Sequence, residues 1–187
     1  MRKVHVFDNV SLDGFFTDAK NDMSWAHKHD EEWNAFASSN ASGPGELLFG
    51  RVTYEMMAAF WPTPQAAQML PQVAAGMNAM RKTVFSRTLE RVTWQNTTLM
   101  KGDLVTEVTR LKEQPGPDLV ILGSGSLVSQ LTEARLIDEY QIVVNPIVLG
   151  RGRTLFATVD GRMPLALTRT RAFKNGSVVL WYEPASS

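Results

Sequence analysis

Leu47-Leu48-Phe49-Gly50-Arg51-Val52-Thr53-Tyr54-Glu55 is the stretch on which the reading of this chain turns. Leu47 to Phe49 is a short apolar run typical of a buried strand. It stops at Gly50, and Arg51 to Phe60 then has helical rather than alternating character. A strand that turns through glycine into a helix leaves unpaired N–H groups pointing out of the turn, and these attract anions. Arg51 adds a planar five-donor fork suited to phosphate, and Thr53 adds a hydroxyl. A phosphate cradle at the edge of a sheet is the expectation.

A second turn of the same kind follows the run Leu119-Val120-Ile121-Leu122, whose four apolar residues read as a strand covered on both faces. Gly123-Ser124-Gly125-Ser126-Leu127 then leads into a helix expected from about Leu127 to Ala134. Two glycines let a ligand approach the backbone, and the serines offer hydroxyls, although Ser126 serves equally well as a helix cap. Ser86-Arg87 follows a third strand pattern, Lys82 to Phe85. Open α/β sheets bind ligands at the carboxyl ends of their strands. Three such ends carrying Gly50, Arg51, Thr53, Ser86, Arg87, Gly123, Ser124, Gly125, Ser126 and Leu127, without an acidic cluster, suit a phosphorylated dianion. The plainer alternative has Arg51 and Arg87 neutralised on the surface by Glu55 and Glu90.

Further strands are expected at Val4 to Val10, weakly at Val92 to Leu99, and at Tyr140 to Val144. Helices are expected from Asp30 and over Asp103 to Lys112, with Phe15 to Asp22 a loop. Pro62-Thr63-Pro64 ends the helix begun at Arg51; Gln65 to Met80 reads as helical or as a loose excursion. Asn175-Gly176 marks a hairpin between Leu165–Phe173 and Ser177–Tyr182. Alternating strands and helices closed by a hairpin describe a single α/β domain with a mainly parallel sheet and at least one antiparallel edge strand.

Composition sets the outer bounds. The 187 residues hold 44% hydrophobic and 20% charged residues, the balance of a chain that buries a core. Nineteen basic residues match 19 acidic ones, which argues against nucleic-acid binding through a broad basic field. With no cysteine, thiolate metal sites and a thiol nucleophile are excluded. The first residues enter a strand pattern directly and no run reaches bilayer length, so a cytoplasmic protein without a membrane partner is expected. His27 and His29 lack helical spacing and a third ligand, and no metal is expected. Asp13, in Ser11-Leu12-Asp13-Gly14, is the one acid placed in a pocket; it is a substrate-binding or proton-relaying carboxylate, or a common Asp-Gly turn. Trp25, Tyr54, Met57 and Trp61 are candidate walls for a flat ring, with plain core packing as the alternative.

In order, Val10 to Gly14, Leu48 to Glu55, Phe85 to Arg87, Gly123 to Leu127 and Pro146-Ile147-Val148-Leu149-Gly150-Arg151-Gly152 resemble the dihydrofolate reductase superfamily. The nearest branch is the free-standing proteins similar to the C-terminal reductase domain of bifunctional riboflavin biosynthesis proteins. The resemblance implies a dihydrofolate-reductase-like fold with an antiparallel C-terminal strand and helices on both faces. It implies NADPH across the strand ends: Arg51 and Thr53 at its phosphates, Ser86 and Arg87 near the 2′-phosphate, and the turn from Gly123 to Leu127 at the pyrophosphate. Asp13 matches an aspartate near the substrate's ribityl or ribose part. The chain lacks the deaminase-like half of the bifunctional proteins, and Leu122 stands where those reductases usually carry glutamate. Asp30, Glu31 and Glu32 sit in no pterin-gripping motif. The implied activity is hydride transfer from NADPH to a small heterocyclic (pterin- or ribosylaminopyrimidine-like) or carbonyl/imine substrate. A non-catalytic NADP(H)-binding module or sensor is the alternative, and a homodimer using apolar surface between Met69 and Met80 stays open.

Overall fold

The computed structural model describes residues 1–27, 30–41 and 43–185. The first half runs β1 (Val4–Ser11), β2 (Phe15–Asp18), a 3-10 turn (Ser24–Ala26), α1 (Glu31–Ala41), β3 (Glu46–Gly50), α2 (Arg51–Phe60), α3 (Pro64–Met69), α4 (Pro71–Ala79) and β4 (Arg81–Phe85). The second half runs β5 (Thr97–Met100), α5 (Leu104–Glu113), β6 (Leu119–Leu122), α6 (Gly125–Glu133), β7 (Glu139–Asn145), β8 (Gly152–Thr154), β9 (Leu165–Ala172) and β10 (Val178–Pro184).

Eight strands form one sheet in the order β5-β4-β3-β6-β1-β7-β10-β9. The strands from β5 to β7 are parallel; β10 runs antiparallel to β7, and β9 runs antiparallel to β10 at the edge. Alternation along each strand splits its side chains between two covers. On β3, Leu48 joins the core beneath α5 and α6, while Leu47 and Phe49 join the cluster beneath α2 and α4. On β1, Val4 and Val6 face the α5–α6 side, whereas Phe7 packs against the α1 cluster of Trp33 and Phe36. Connections leaving β1 and β3 step toward the β5 edge, and those leaving β5 and β6 step the other way. Right-handed crossovers put such helices on opposite faces, so the neighbours β6 and β1 flank a topological switch point at their carboxyl ends.

The eight-stranded, mostly parallel sheet with helices on both faces agrees with expectation. Local differences have local causes. The first part of the expected loop at Phe15 to Asp22 is β2, which pairs with β8 in a separate two-stranded sheet. Strands of three or four residues carry too little period to be read. The expected strand at Val92 to Leu99 is confined to Thr97–Met100. Gln65 to Met80 is ordered, as two helices broken at Leu70 before Pro71, because proline disfavours helical geometry in the residue before it. Met69 is exposed, but Met77 is buried in the α2–α4 cluster, so that stretch is not one apolar surface. Among the described residues no helix is long and apolar enough to cross a membrane.

Candidate functional site

Because β4, β3, β6 and β1 are consecutive parallel neighbours, their carboxyl ends lie on one edge of the sheet. That edge carries Ser86 and Arg87, then Gly50 to Thr53, then Gly123 to Leu127, then Asp8 to Asp13. Three strand spacings of about 4.8 Å span roughly 14 Å, more than a single phosphate needs.

The two glycine turns touch. The Gly50 N–H donates to Ser124 Oγ at 3.1 Å, and Thr53 Oγ1 donates to the Gly123 carbonyl at 3.0 Å. Thr53 and Ser124 are buried. The first reading gave their hydroxyls to a ligand; here they bind the turns to each other, and the backbone is left to face outward. Gly123 has φ +65°, a conformation that disfavours any side chain. Gly125 is required for a different reason, since a Cβ there would lie 2.5 Å from Phe16 Cζ. Ser126 is exposed on the first turn of α6, and Leu127 is core.

Side-chain capping differs among the helices. Thr63 caps α3 by accepting from the Ala66 N–H, and Asp103 caps α5 by accepting from the Thr106 N–H. The corresponding residues of α2 and α6, Gly50 and Ser124, make no side-chain cap. Helix α4, preceded by Leu70, lacks a cap as well, but it opens on Pro71, which has no N–H to offer. Two helix N-termini therefore present first-turn amides side by side, which is the donor set an anion takes.

Arg51 pairs with Glu55 at 3.1 Å, as the plainer reading held, but both side chains are half exposed. An exposed i, i+4 pair is worth about 0.3–0.5 kcal/mol, so a phosphate can displace it at little cost. Arg87 is exposed and forms no ion pair with Glu90 among the described residues. Ser86 Oγ accepts from the Leu89 and Thr88 N–H groups, so it shapes its own turn.

Asp13 lies at the far end of the edge and is heavily used. Oδ1 accepts from Ser11 Oγ at 2.6 Å and from the Leu149 N–H at 3.1 Å; Oδ2 accepts from the Gly150 N–H at 2.7 Å. These bonds tie the β1–β2 turn to the loop before β8. The Ser11 hydroxyl first, then the two amides, pull the Asp13 carboxyl down to about 2. A group ionised throughout the neutral range accepts hydrogen bonds and holds no proton to give. The pH profile of any turnover is accordingly expected to show no limb that disappears in Asp13→Asn between about pH 5 and 9; a lost limb in kcat/KM would contradict this.

The four ring-wall candidates separate. Tyr54 is buried, and its hydroxyl accepts from the Thr93 and Trp94 N–H groups at 2.9 and 3.1 Å. Trp61 Nε1 donates to Met57 Sδ, and both belong with Tyr54 to the α2–α4 cluster. Trp25 stands apart on the 3-10 turn, donating Nε1–H to the Asp22 carbonyl. A cavity of about 410 Å³ opens between α2 and the 89–93 segment, and of the four only Tyr54 lines it. No three potential metal ligands cluster among the described residues; His29 lies outside them.

A family model described as the RibD C-terminal domain matches residues 2–179. The chain belongs to this family. A relative in Bacillus subtilis (strain 168), the uncharacterized protein YyaP, is 28% identical over 174 residues, covering 92% of this chain and 90% of that protein. A similar fold is seen in a Thermotoga maritima diaminohydroxyphosphoribosylaminopyrimidine deaminase/5-amino-6-(5-phosphoribosylamino)uracil reductase. The two align with TM-score 0.70 and 14% identity over 98% of this chain and 57% of that one. Enterococcus faecalis dihydrofolate reductase, complexed with NADP(H), aligns with TM-score 0.66 and 13% identity over 98% and 97% of the two chains. This RibD C-terminal domain protein thus has the dihydrofolate-reductase-like fold its motifs resemble.

One residue at the edge escaped the sequence reading. Asp8 is 1% exposed on β1, in phase with Val4, Val6 and Val10. The signal was visible as an acid interrupting an inward-facing apolar alternation.

Proposed function

We propose that this protein is an NADPH-dependent reductase of a small heterocyclic (pterin- or ribosylaminopyrimidine-like) or carbonyl/imine substrate. The observation that carries the reading is the pair of uncapped helix N-termini, α2 and α6, joined at Gly50–Ser124 and flanked by Arg51 and Arg87 on one edge. Their amides suit the pyrophosphate, and the arginines suit further phosphate charge. Gly123, Gly125 and Ser126 would bring backbone close to it, while Thr53 and Ser124 hold the cradle in shape. NADPH, when bound, supplies the hydride. The chain's own task is to align the acceptor at the switch point between β1 and β6 and to keep water from it. Asp13 would serve as an anchor, fixing the loop that borders the substrate and accepting a substrate hydroxyl on its remaining lone pairs.

Fluorescence titration with NADPH tests the cofactor part, because five tryptophans provide the signal. Arg51→Ala and Arg87→Ala are each expected to weaken NADPH about tenfold, with a smaller salt dependence than the parent protein. No binding at millimolar cofactor would remove the reading.

Asp13's commitment to Ser11, Leu149 and Gly150 favours a second reading, an NADP(H)-binding sensor without turnover. Oxidation of NADPH by any of a panel of pterins, ribosylaminopyrimidines and small carbonyls would exclude it.

A further inference from the structure

β1 is longer than its neighbour. Its pairing with β6 ends at Phe7↔Leu122, while its pairing with β7 continues to Ser11↔Asn145. Beyond Leu122 the chain turns away at Gly123, leaving a slot beside the last four residues of β1. Backbone directions alternate along a strand, so the groups that would have met β6 can be named. The Lys3 carbonyl accepts from the Leu119 N–H, toward β6, and the Val4 carbonyl accepts from the Asp138 N–H, toward β7. By the same alternation Asn9 faces the slot. Its N–H is taken by Asp8 Oδ1 at 2.9 Å. The side chain of Asp8 has thus curled into the slot and stands in for the missing strand.

That leaves its second oxygen. Oδ2 is buried and has no partner; only Thr17 Oγ1 and Gln141 Nε2 share this condition among the described residues. Gln141 is in register with Phe7, whose ring packs on the α1 side. A buried polar atom without a partner is costly, and its presence at a switch point indicates a hydrogen bond made only when the crevice is filled.

We propose that Asp8 is the ligand-contacting residue at the ring end of the crevice, where its Oδ2 hydrogen-bonds an amide-type group such as the carboxamide of nicotinamide. This rests on the reading of the edge as an NADPH site and adds to it a residue for the end of the cofactor that the phosphates do not reach. Burial pushes the Asp8 carboxyl up to about 7, opposed only by the Asn9 amide. It can therefore donate from the protonated form or accept as the carboxylate, and a carboxamide offers the complement of each.

The test compares NADPH with 2′-phospho-ADP-ribose, which keeps the phosphates and lacks the nicotinamide, by calorimetric titration of the parent protein, Asp8→Leu and Asp8→Asn. Asp8→Leu is expected to bind 2′-phospho-ADP-ribose like the parent and NADPH about tenfold more weakly. Asp8→Asn, which keeps a polar group in the slot, is expected to recover most of that loss. In the parent, the carboxyl ¹³C titration midpoint of Asp8 should move on adding NADPH and stay in place with 2′-phospho-ADP-ribose. Equal affinities in Asp8→Leu and parent, or equal losses for both ligands, would overturn the proposal, and so would an unmoved midpoint. A parent that binds neither ligand removes the cofactor reading itself. Should Asp8→Leu fail to fold, the parent's carboxyl titration decides.

Discussion

Asp8→Asn is expected to make the protein more stable, and increasingly so as the pH is raised. Asp8 is buried, and the only group opposing its desolvation is the Asn9 amide, so its carboxyl rises from an ordinary 3.8 to about 7. The unfolded chain releases this proton near the ordinary value, while the folded chain retains it until about 7. Between those values the folded state binds more protons than the unfolded one, and stability falls as pH rises. The contribution is complete below about pH 4 and lost through about pH 7. The shift corresponds to about 4 kcal/mol at most. Asparagine keeps the acceptor for the Asn9 N–H and has no charge to bury. Denaturant unfolding should give similar stabilities for parent and variant near pH 4, diverging by several kcal/mol near pH 8. Parallel curves across that range would show that Asp8 is not a buried acid.

Glu46→Ala is expected to cost about 3–5 kcal/mol, at the opposite end of the sheet. Glu46 opens β3 and is buried; its Oε2 meets Arg2 Nη2 at 2.8 Å, and its Oε1 accepts from Thr83 Oγ1 at 2.7 Å. The Arg2 side chain is 5% exposed, and its Nε also donates to the Pro117 carbonyl. Removing the carboxylate leaves a guanidinium in a low-dielectric site with one carbonyl for company, and that uncompensated charge dominates the loss. The pair joins the N-terminal residues to β3 and β4 across the amino ends of the sheet. Double replacement, Arg2→Met with Glu46→Leu, removes both charges and should recover most of the stability. A single-variant loss below about 1 kcal/mol in denaturant unfolding would place the pair among ordinary surface bridges.

Both residues show where local reading stops. Gly50 and Gly123 were legible because a strand-to-helix turn needs specific residues within a few positions of one another, and the apolar runs before them fix strand, face and direction. The edge that gathers the glycine turns followed from order alone, since parallel strands joined by right-handed crossovers bring their carboxyl ends together. The hydroxyls were assigned outward and proved to be internal. Thr53 and Ser124 find partners 70 and 74 residues away, at Gly123 and Gly50, and no local rule tells an unsatisfied hydroxyl from one bonded across a strand boundary. Asp13 was singled out from its Asp-Gly turn as a candidate pocket carboxylate, but its amide donors at Leu149 and Gly150 lie beyond any turn rule.

By itself the sequence determined the α/β class, the sheet edge that carries the glycine turns, and the motifs shared with the reductase superfamily. Each depends on short-range periodicity or on the steric demands of glycine. Tertiary structure alone decided that β1 and β6 are neighbours with Phe7 opposite Leu122, and that register leaves the end of β1 unpaired on this side and opens the slot Asp8 fills. Strand lengths become comparable only when residues more than a hundred positions apart are set in register. Burial, which turns an ordinary aspartate into a group that titrates near 7, exists only once that register has formed.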